Sequence, residues 1–541
     1  MLELDTKRMK FTVGWILREE FEELLLVADY IRYDKARKCS IYRLNLRKCR
    51  KLGVERVNEI LGKHGIKISE KLIEILEKTR KPLIILNLEG SDLIIHGLDE
   101  NVSNLSNVLI WDKVDKIFRA KPLNYHKIRK TLEEKGYHVV STMKEDWNLN
   151  IKTIPTFKLR PYQLEAFRAW KENDYRGVIV LPTGAGKTLL ALYAIHKLKL
   201  KSLIIVPTID LLRQWQEKLV EGLNIPEDMI GIFGGGKKEI KPITIITYDS
   251  AYTNIHKLAD KHGLLISDEV HHLPSTSYRK IAECHVAWRR MGLTATPKRT
   301  DELHRELDYL IGPIVYHIGL NELIKEGYVA EYVTEHIYID LTPKEMEEYD
   351  KLMKIYNNYI KNYVYALDPR EAFRQVVLRS RTDRKAHEAL LAKEKARQLA
   401  LNAKRKIKKL EELLEKYKDK KVLIFSRYTD IVNDISNRLL IPKITHKTPE
   451  KERKVILRAF KEGKITKLVT GEVLDEGIDV PDASVGIIIS GTGSERQYIQ
   501  RLGRILRPKE EKAKLIELIT RKTIDVSLSK RRKPANKCNN M

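Results

Sequence analysis

Gly177-Val178-Ile179-Val180-Leu181 is an unbroken apolar run that leads straight into Pro182-Thr183-Gly184-Ala185-Gly186-Lys187-Thr188, then into a helical pattern through about Lys199. A buried strand, a glycine-rich turn and a helix in immediate succession form the context of a phosphate-binding loop. Gly184 and Gly186 let backbone N–H groups close around phosphate oxygens, and the helix start adds unpaired donors and the positive end of its dipole. Pro182, Thr183 and Ala185 complete the cradle. Lys187 is expected to reach the β- and γ-phosphates of ATP, and the Thr188 hydroxyl to ligate Mg2+. The first position of the usual eight-residue pattern is Leu181 rather than glycine.

A second apolar run, Gly263-Leu264-Leu265-Ile266-Ser267, ends in Asp268-Glu269-Val270-His271. Adjacent carboxylates at the end of a buried strand are costly unless a cation meets them. Asp268 is the candidate Mg2+ ligand, and Glu269 the candidate group that polarises the attacking water.

Apolar runs alternate with helical patterns around these two segments, at 177–181, 203–206, 243–247, 264–266 and 290–294. That rhythm predicts βαβ units and a parallel sheet with helices on both faces. It fades after Tyr316 and returns at 422–425, 467–470 and 484–489, with a largely helical stretch from about 342 to 418 between. The chain therefore divides into an α+β N-terminal region (1–150), a first α/β domain (151–325), a basic helical insertion (335–418), a second α/β domain (419–528) and a basic tail (529–541). In the N-terminal region, Phe11–Ile31 reads as one apolar helix, and Leu83–Leu88 and Leu93–Ile95 as strands.

The formal charge of +27 over 541 residues points to a polyanionic partner, since neutralising phosphates releases counterions. No apolar run approaches the roughly 20 residues a membrane-spanning helix needs, and the N-terminus lacks a signal-peptide core. Cys39, Cys49, Cys284 and Cys538 are too few and scattered for a disulfide framework or a zinc site, which suits a reducing cytoplasm.

Pro-Thr-Gly-Ala-Gly-Lys-Thr, Asp-Glu-Val-His, Leu293-Thr294-Ala295-Thr296-Pro297 and Gln500-Arg501-Leu502-Gly503-Arg504-Ile505-Leu506-Arg507-Pro508 follow one another in the order seen in superfamily 2 helicases, and residues 158–510 resemble that superfamily. The resemblance implies two RecA-like motor domains. Arg160 and Gln163, in Leu159-Arg160-Pro161-Tyr162-Gln163, fall at the adenine-reading position. Pro207, Thr208, Thr247 and Tyr248 fall where such enzymes grip the nucleic-acid backbone, as do Arg427 and Thr470 in the second domain. Gly477 and Asp479, in Gly477-Ile478-Asp479-Val480-Pro481, join the ATP-binding set. His271, Thr294, Thr296 and Gln500 take coupling positions, and Arg504 and Arg507 those of arginine fingers that stabilise charge on the γ-phosphate.

Within the superfamily the chain is most similar to archaeal XPB-type DNA helicases. The carriers are Leu-Arg-Pro-Tyr-Gln, Gly231-Ile232-Phe233-Gly234-Gly235-Gly236-Lys237-Lys238, Asp-Glu-Val-His-His, Gly292-Leu293-Thr294-Ala295-Thr296-Pro297 and Tyr309-Leu310-Ile311-Gly312-Pro313. The family implies 3′–5′ movement on DNA, nucleotide excision repair, a thumb at the helical insertion, an N-terminal module for distorted DNA and a partner nuclease. Its Arg-Glu-Asp element falls on Arg299-Thr300-Asp301, assigned to nucleic acid through Arg299 and Asp301, and the central acid is replaced. That departure keeps a duplex translocase without strand separation as an alternative, beside an ATP-switched DNA-binding scaffold. RNA is the less favoured polynucleotide.

Weaker signals complete the reading. Between Arg370 and Lys420 there are 17 Lys/Arg against 8 Asp/Glu, which suits either phosphate contact or a solvated helix face. Gly234–Gly236 with Lys237 and Lys238 reads either as a plain turn or as a DNA-facing loop, the turn being favoured. His272 is expected to be structural and Trp215 to be core.

Overall fold

The computed structural model describes residues 2–77, 82–98, 103–299, 301–329, 331–366, 368–471, 483–491 and 512–532. The chain forms two compact units, residues 1–179 with 188–316, and residues 180–187 with 317–541.

The N-terminal part of the first unit holds two antiparallel-rich sheets. Lys10–Val13, Cys39–Leu44 and Ala28–Asp34 form one, in the spatial order first, third, second. His138–Ser141, Leu83–Glu89, Asp92–His96, Ile117–Ala120 and Ile110–Asp112 form the other, in that spatial order. The single helix expected over Phe11–Ile31 is instead strand Lys10–Val13, helix Arg18–Leu25 and strand Ala28–Asp34. The physical reason is burial with a period of two. Phe11 and Val13 face the core while Thr12 faces out, and Phe11 stacks on its cross-strand partner Tyr42 at 5.6 Å.

The rest of the first unit is built on an eight-stranded sheet. Its order is Lys237–Lys238, Ile230–Gly234, Ile243–Thr247, Ser202–Val206, Leu264–Asp268, Arg289–Thr294, Arg176–Val180 and Ile314–His317. The strands from Ile230 to Thr294 in this order run parallel. Ser202–Val206, Ile243–Thr247 and Leu264–Asp268 are buried along their whole length, the state in which near-continuous apolar runs are stable. Register puts Val206 beside Thr247, Ile205 beside Ser267 and Asp268 beside Leu293. The residues following four strands therefore emerge along one sheet edge, where such folds place their ligands. Gly235 and Gly236, at φ 58° and 91°, close a tight hairpin between Ile230–Gly234 and Lys237–Lys238.

The second unit holds an all-parallel six-stranded sheet, in the order Tyr332–Ile339, Ala513–Thr520, Val485–Ile488, Val422–Phe425, Lys467–Thr470 and Lys443–Ile444. Strand Tyr332–Ile339 precedes the helical stretch in sequence yet belongs to this sheet, so residues 335–339 are strand rather than insertion. Helices Pro343–Tyr363, Pro369–Arg379 and Arg384–Leu401 follow. The first starts at Thr342, whose hydroxyl accepts from Glu345 N while the Glu345 carboxylate accepts from Thr342 N at 2.9 Å. Helix Lys404–Lys416 belongs to the sheet's core, where Leu410 and Leu413 pack with Val422, Ile424 and Val469. Its Lys406 is fully buried and pairs with Asp525 at 2.7 Å.

Candidate nucleotide site

The loop after strand Arg176–Val180 has the backbone that a phosphate cradle needs. Gly184 and Gly186 take left-handed φ values of 83° and 78°, conformations that disfavour any side chain. Ala185 N donates to Pro182 O at 3.2 Å, which tightens the turn. Lys187 opens helix Lys187–Leu198, and its Nζ donates back to Leu181 O at 3.3 Å. Thr183 Oγ1 is buried with no partner among the described residues. An ammonium resting on a backbone carbonyl and an orphaned hydroxyl, beside two left-handed glycines, fit a triphosphate. Thr188 follows in the same helix and is half-buried.

The paired carboxylates end the strand Leu264–Asp268. Asp268 is 6% exposed. Its Oδ2 accepts from Trp215 Nε1 at 2.9 Å and its Oδ1 from Glu269 N at 3.0 Å, and among the described residues no cationic side chain pairs with it. A buried carboxylate held only by neutral donors leaves oxygen lone pairs for a divalent ion, so the donor set fits Mg2+. Glu269 has φ 47° and ψ 52°, a left-handed conformation strained for a residue with a side chain. This turn swings the chain off the strand into the short helix Val270–His272.

The same turn links the carboxylates to the next strand. The buried His271 lies 3.4 Å from Glu269 Oε2 through Nδ1, which is also 3.1 Å from Thr294 Oγ1. Thr296 N donates to Thr294 Oγ1 at 3.1 Å. Three of the four expected coupling residues, His271, Thr294 and Thr296, are thus joined by hydrogen bonds, with the Glu269 carboxylate 3.4 Å from His271 Nδ1. Arg299 extends it: Nη1 donates to His271 O at 2.6 Å, and Nε and Nη2 hold the two Asp301 oxygens at 2.9 and 2.6 Å. That bidentate bond is the main reason the Asp301 carboxyl drops to about 2, and it raises the Arg299 guanidinium in turn.

The remaining expected residues occupy varied places. Gln163 is buried, and its Oε1 accepts from Arg160 N at 2.8 Å across the first turn of helix Pro161–Glu172. Pro207 is half-buried, and Thr208 caps helix Ile209–Leu223 by accepting from Leu211 N. Thr247 caps helix Tyr248–Asn254 by accepting from Ser250 N. Tyr248, expected at the polynucleotide, is buried, and its hydroxyl donates to Asp268 O at 2.9 Å. Burial, with Asp268 and Glu269 nearby, pushes its phenol well above the ordinary value. In the second unit, Arg427 is half-buried and its backbone N donates to Ser490 Oγ. Thr470 is buried and donates to Gly471 O. Gly477, Asp479, Gln500, Arg504 and Arg507 lie outside the described residues.

Trp215 was expected in the core, and it is there, 1% exposed. Its bond to Asp268 was missed. The available signal was general: a buried indole N–H needs an acceptor.

A phosphate loop, a carboxylate pair at a parallel strand's end and a second parallel α/β unit define the chain as a two-part helicase-type ATPase. Residues 156–299 match the family model described as Type III restriction enzyme, res subunit, and residues 405–509 that described as Helicase conserved C-terminal domain. The chain is 42% identical over 429 residues to the DNA 3′-5′ translocase XPB2 of Sulfurisphaera tokodaii, covering 79% of this chain and 95% of the relative. It is 30% identical over 489 residues to the putative DNA 3′-5′ helicase Rad25 of Haloarcula marismortui, covering 88% and 71%. Over 384 residues it is 31% identical to the DNA 3′-5′ helicase XPB of Mycobacterium tuberculosis, covering 69% and 60%. The chain belongs to the XPB family. Among the described residues, no helix is long and apolar enough to cross a membrane.

Proposed function

We propose that this protein is an ATP-driven 3′–5′ DNA translocase and helicase acting in nucleotide excision repair. The observation that carries the reading is the strained Glu269, whose carboxylate lies 3.4 Å from His271 Nδ1, the atom that is hydrogen-bonded with Thr294 at the end of a neighbouring strand. Lys187 and the cradle 182–186 bind and orient the ATP phosphates, and Gln163 with Arg160 receives the adenine. Thr188 and Asp268 hold Mg2+, which when bound offsets negative charge on the phosphate oxygens. Glu269 accepts a proton from the water that attacks the γ-phosphorus, as the bond to the β–γ bridging oxygen breaks and ADP leaves. Arg504 and Arg507 are assigned to the γ-phosphate, and Gly477, Asp479 and Gln500 to the nucleotide, by the motifs that carry them. Thr208, Thr247 and Arg427 meet the DNA backbone, with Pro207 and Thr470 shaping those segments.

Residues 1–150 take the DNA-engaging role the resemblance assigns, supported by a cleft lined by Arg47, Arg50 and Lys51. Free Cys39, Cys49 and Cys284 suit a cytoplasmic setting. A partner nuclease is tested by incision assays on the two proteins together.

The deciding experiment measures ATPase rates with forked, duplex and single-stranded DNA and with RNA, and strand displacement on 3′- and 5′-tailed duplexes. Stimulation by DNA and displacement only from 3′ tails is expected, both lost in Lys187→Ala while DNA binding persists. Absence of hydrolysis under every polynucleotide condition overturns the reading.

The pairing of Arg299 with Asp301 and His271 O favours a second reading. An element committed to internal bonds suits duplex translocation without strand separation. Triplex displacement together with inactivity on forks selects it.

A further inference from the structure

Two helices that begin at the proposed DNA-gripping segments each send one buried side chain to Asp268. Trp215 lies two turns into helix Ile209–Leu223, which Thr208 caps, and its Nε1 donates to Asp268 Oδ2 at 2.9 Å. Tyr248 is the first residue of helix Tyr248–Asn254, which Thr247 caps, and its hydroxyl donates to Asp268 O at 2.9 Å. One donor therefore holds the carboxylate and the other the main chain of the same residue. Parallel register explains the convergence, since Val206, Thr247 and Asp268 end neighbouring strands at one edge.

We propose that Trp215 and Tyr248 are positioning residues for the Asp268 carboxylate. The inference rests on the reading of Asp268 as the Mg2+ ligand. An indole N–H only donates, so it cannot compete as a ligand, and being neutral it cannot cancel the carboxylate's charge as arginine would. It fixes the plane of the carboxylate and consumes one lone-pair direction. The Glu269 N–H takes another, and the remaining directions stay with the cation. Trp215 is rigid and 1% exposed, so packing locks its aim. Tyr248 holds the backbone just before the strained φ of Glu269, so the two carboxylates keep their relative orientation.

The test is equilibrium binding of mant-ADP, in EDTA and with saturating Mg2+, to the wild type, Trp215→Phe, Tyr248→Phe and Lys187→Ala. In the wild type Mg2+ is expected to tighten binding. Trp215→Phe keeps a smaller aromatic ring and removes the donor, and the Mg2+-dependent gain is expected to shrink about tenfold or more, the scale of losses when a ligand's supporting partner is removed. Its affinity in EDTA stays that of the wild type. Tyr248→Phe shows a smaller loss of the same kind, and Lys187→Ala weakens binding in both conditions. A full Mg2+-dependent gain in Trp215→Phe overturns the positioning role while leaving the ATPase reading intact. No Mg2+ dependence in the wild type overturns the metal role of Asp268 and the inference with it.

Should Trp215→Phe fail to fold, the wild type decides through the indole 15N–1H resonance of Trp215. That resonance is expected to move when Mg2+ is added to the ADP-bound protein, and not to move in Asp268→Asn. An unmoved wild-type resonance overturns the proposal.

Discussion

The Arg299 guanidinium donates to the main-chain oxygen of His271 at 2.6 Å while gripping both oxygens of Asp301. The segment after the Thr-Ala-Thr motif is thereby pinned to the segment after the paired carboxylates. The bond to Arg299 keeps Asp301 ionised far below the usual range, to about 2. Because the folded value is depressed, the linkage stabilises above the unfolded value of 3.8 and disappears as pH falls from there through about 2. Across pH 5 to 8 the pair is expected to be invariant. A 13C titration of the Asp301 carboxyl checks this, and a midpoint near 4 refutes the pairing.

Glu269→Gln keeps the size of the side chain and removes its basicity. ATP hydrolysis is expected to fall about 10²–10⁴-fold, the range for loss of a general base, while ATP still binds. Single-turnover hydrolysis alongside nucleotide binding separates the two effects. Unchanged turnover removes Glu269 from the chemistry.

His271 and Thr294 meet each other, and the motifs that carry them assign their contribution to transmission. Thr294→Val removes the oxygen that meets His271 Nδ1 at 3.1 Å. DNA-stimulated ATPase is expected to be largely retained, and strand displacement or translocation per ATP to drop several-fold. Simultaneous measurement of phosphate release and displacement reads the ratio, and a proportional fall in both argues for simple damage to the site.

In the second unit, Lys406 donates to Asp525 at 2.7 Å and to Ile489 O at 2.8 Å, with both charged partners essentially inaccessible. Lys406→Ala strips a buried carboxylate of its cation, which is expected to destabilise by about 3–5 kcal/mol. Pairing Lys406→Met with Asp525→Asn is expected to recover most of that loss. Urea denaturation of both variants decides it, since an additive double variant contradicts direct coupling.

Features written in adjacent residues could be read from the chain directly. The two glycines of the phosphate loop, the carboxylate pair behind an apolar run, and the strands at 243–247, 422–425 and 467–470 are local, because strands buried on both faces need apolar residues throughout. Short segments near the N-terminus were less legible: apolar residues between Phe11 and Ile31 suit a helix by composition, and only pairing of Phe11 with Tyr42 makes the first part a strand. Strand Tyr332–Ile339 was hidden for the same reason, since its partner lies at Ala513–Thr520, across the helical segment.

The contacts that aim the proposed catalytic groups belong to the tertiary structure alone. Trp215 reaches Asp268 across 53 residues and Arg299 reaches His271 across 28. A donor's need for an acceptor is encoded in its chemistry, but which acceptor it meets depends on strand order and parallel register, and these arise only when distant segments pack into one sheet.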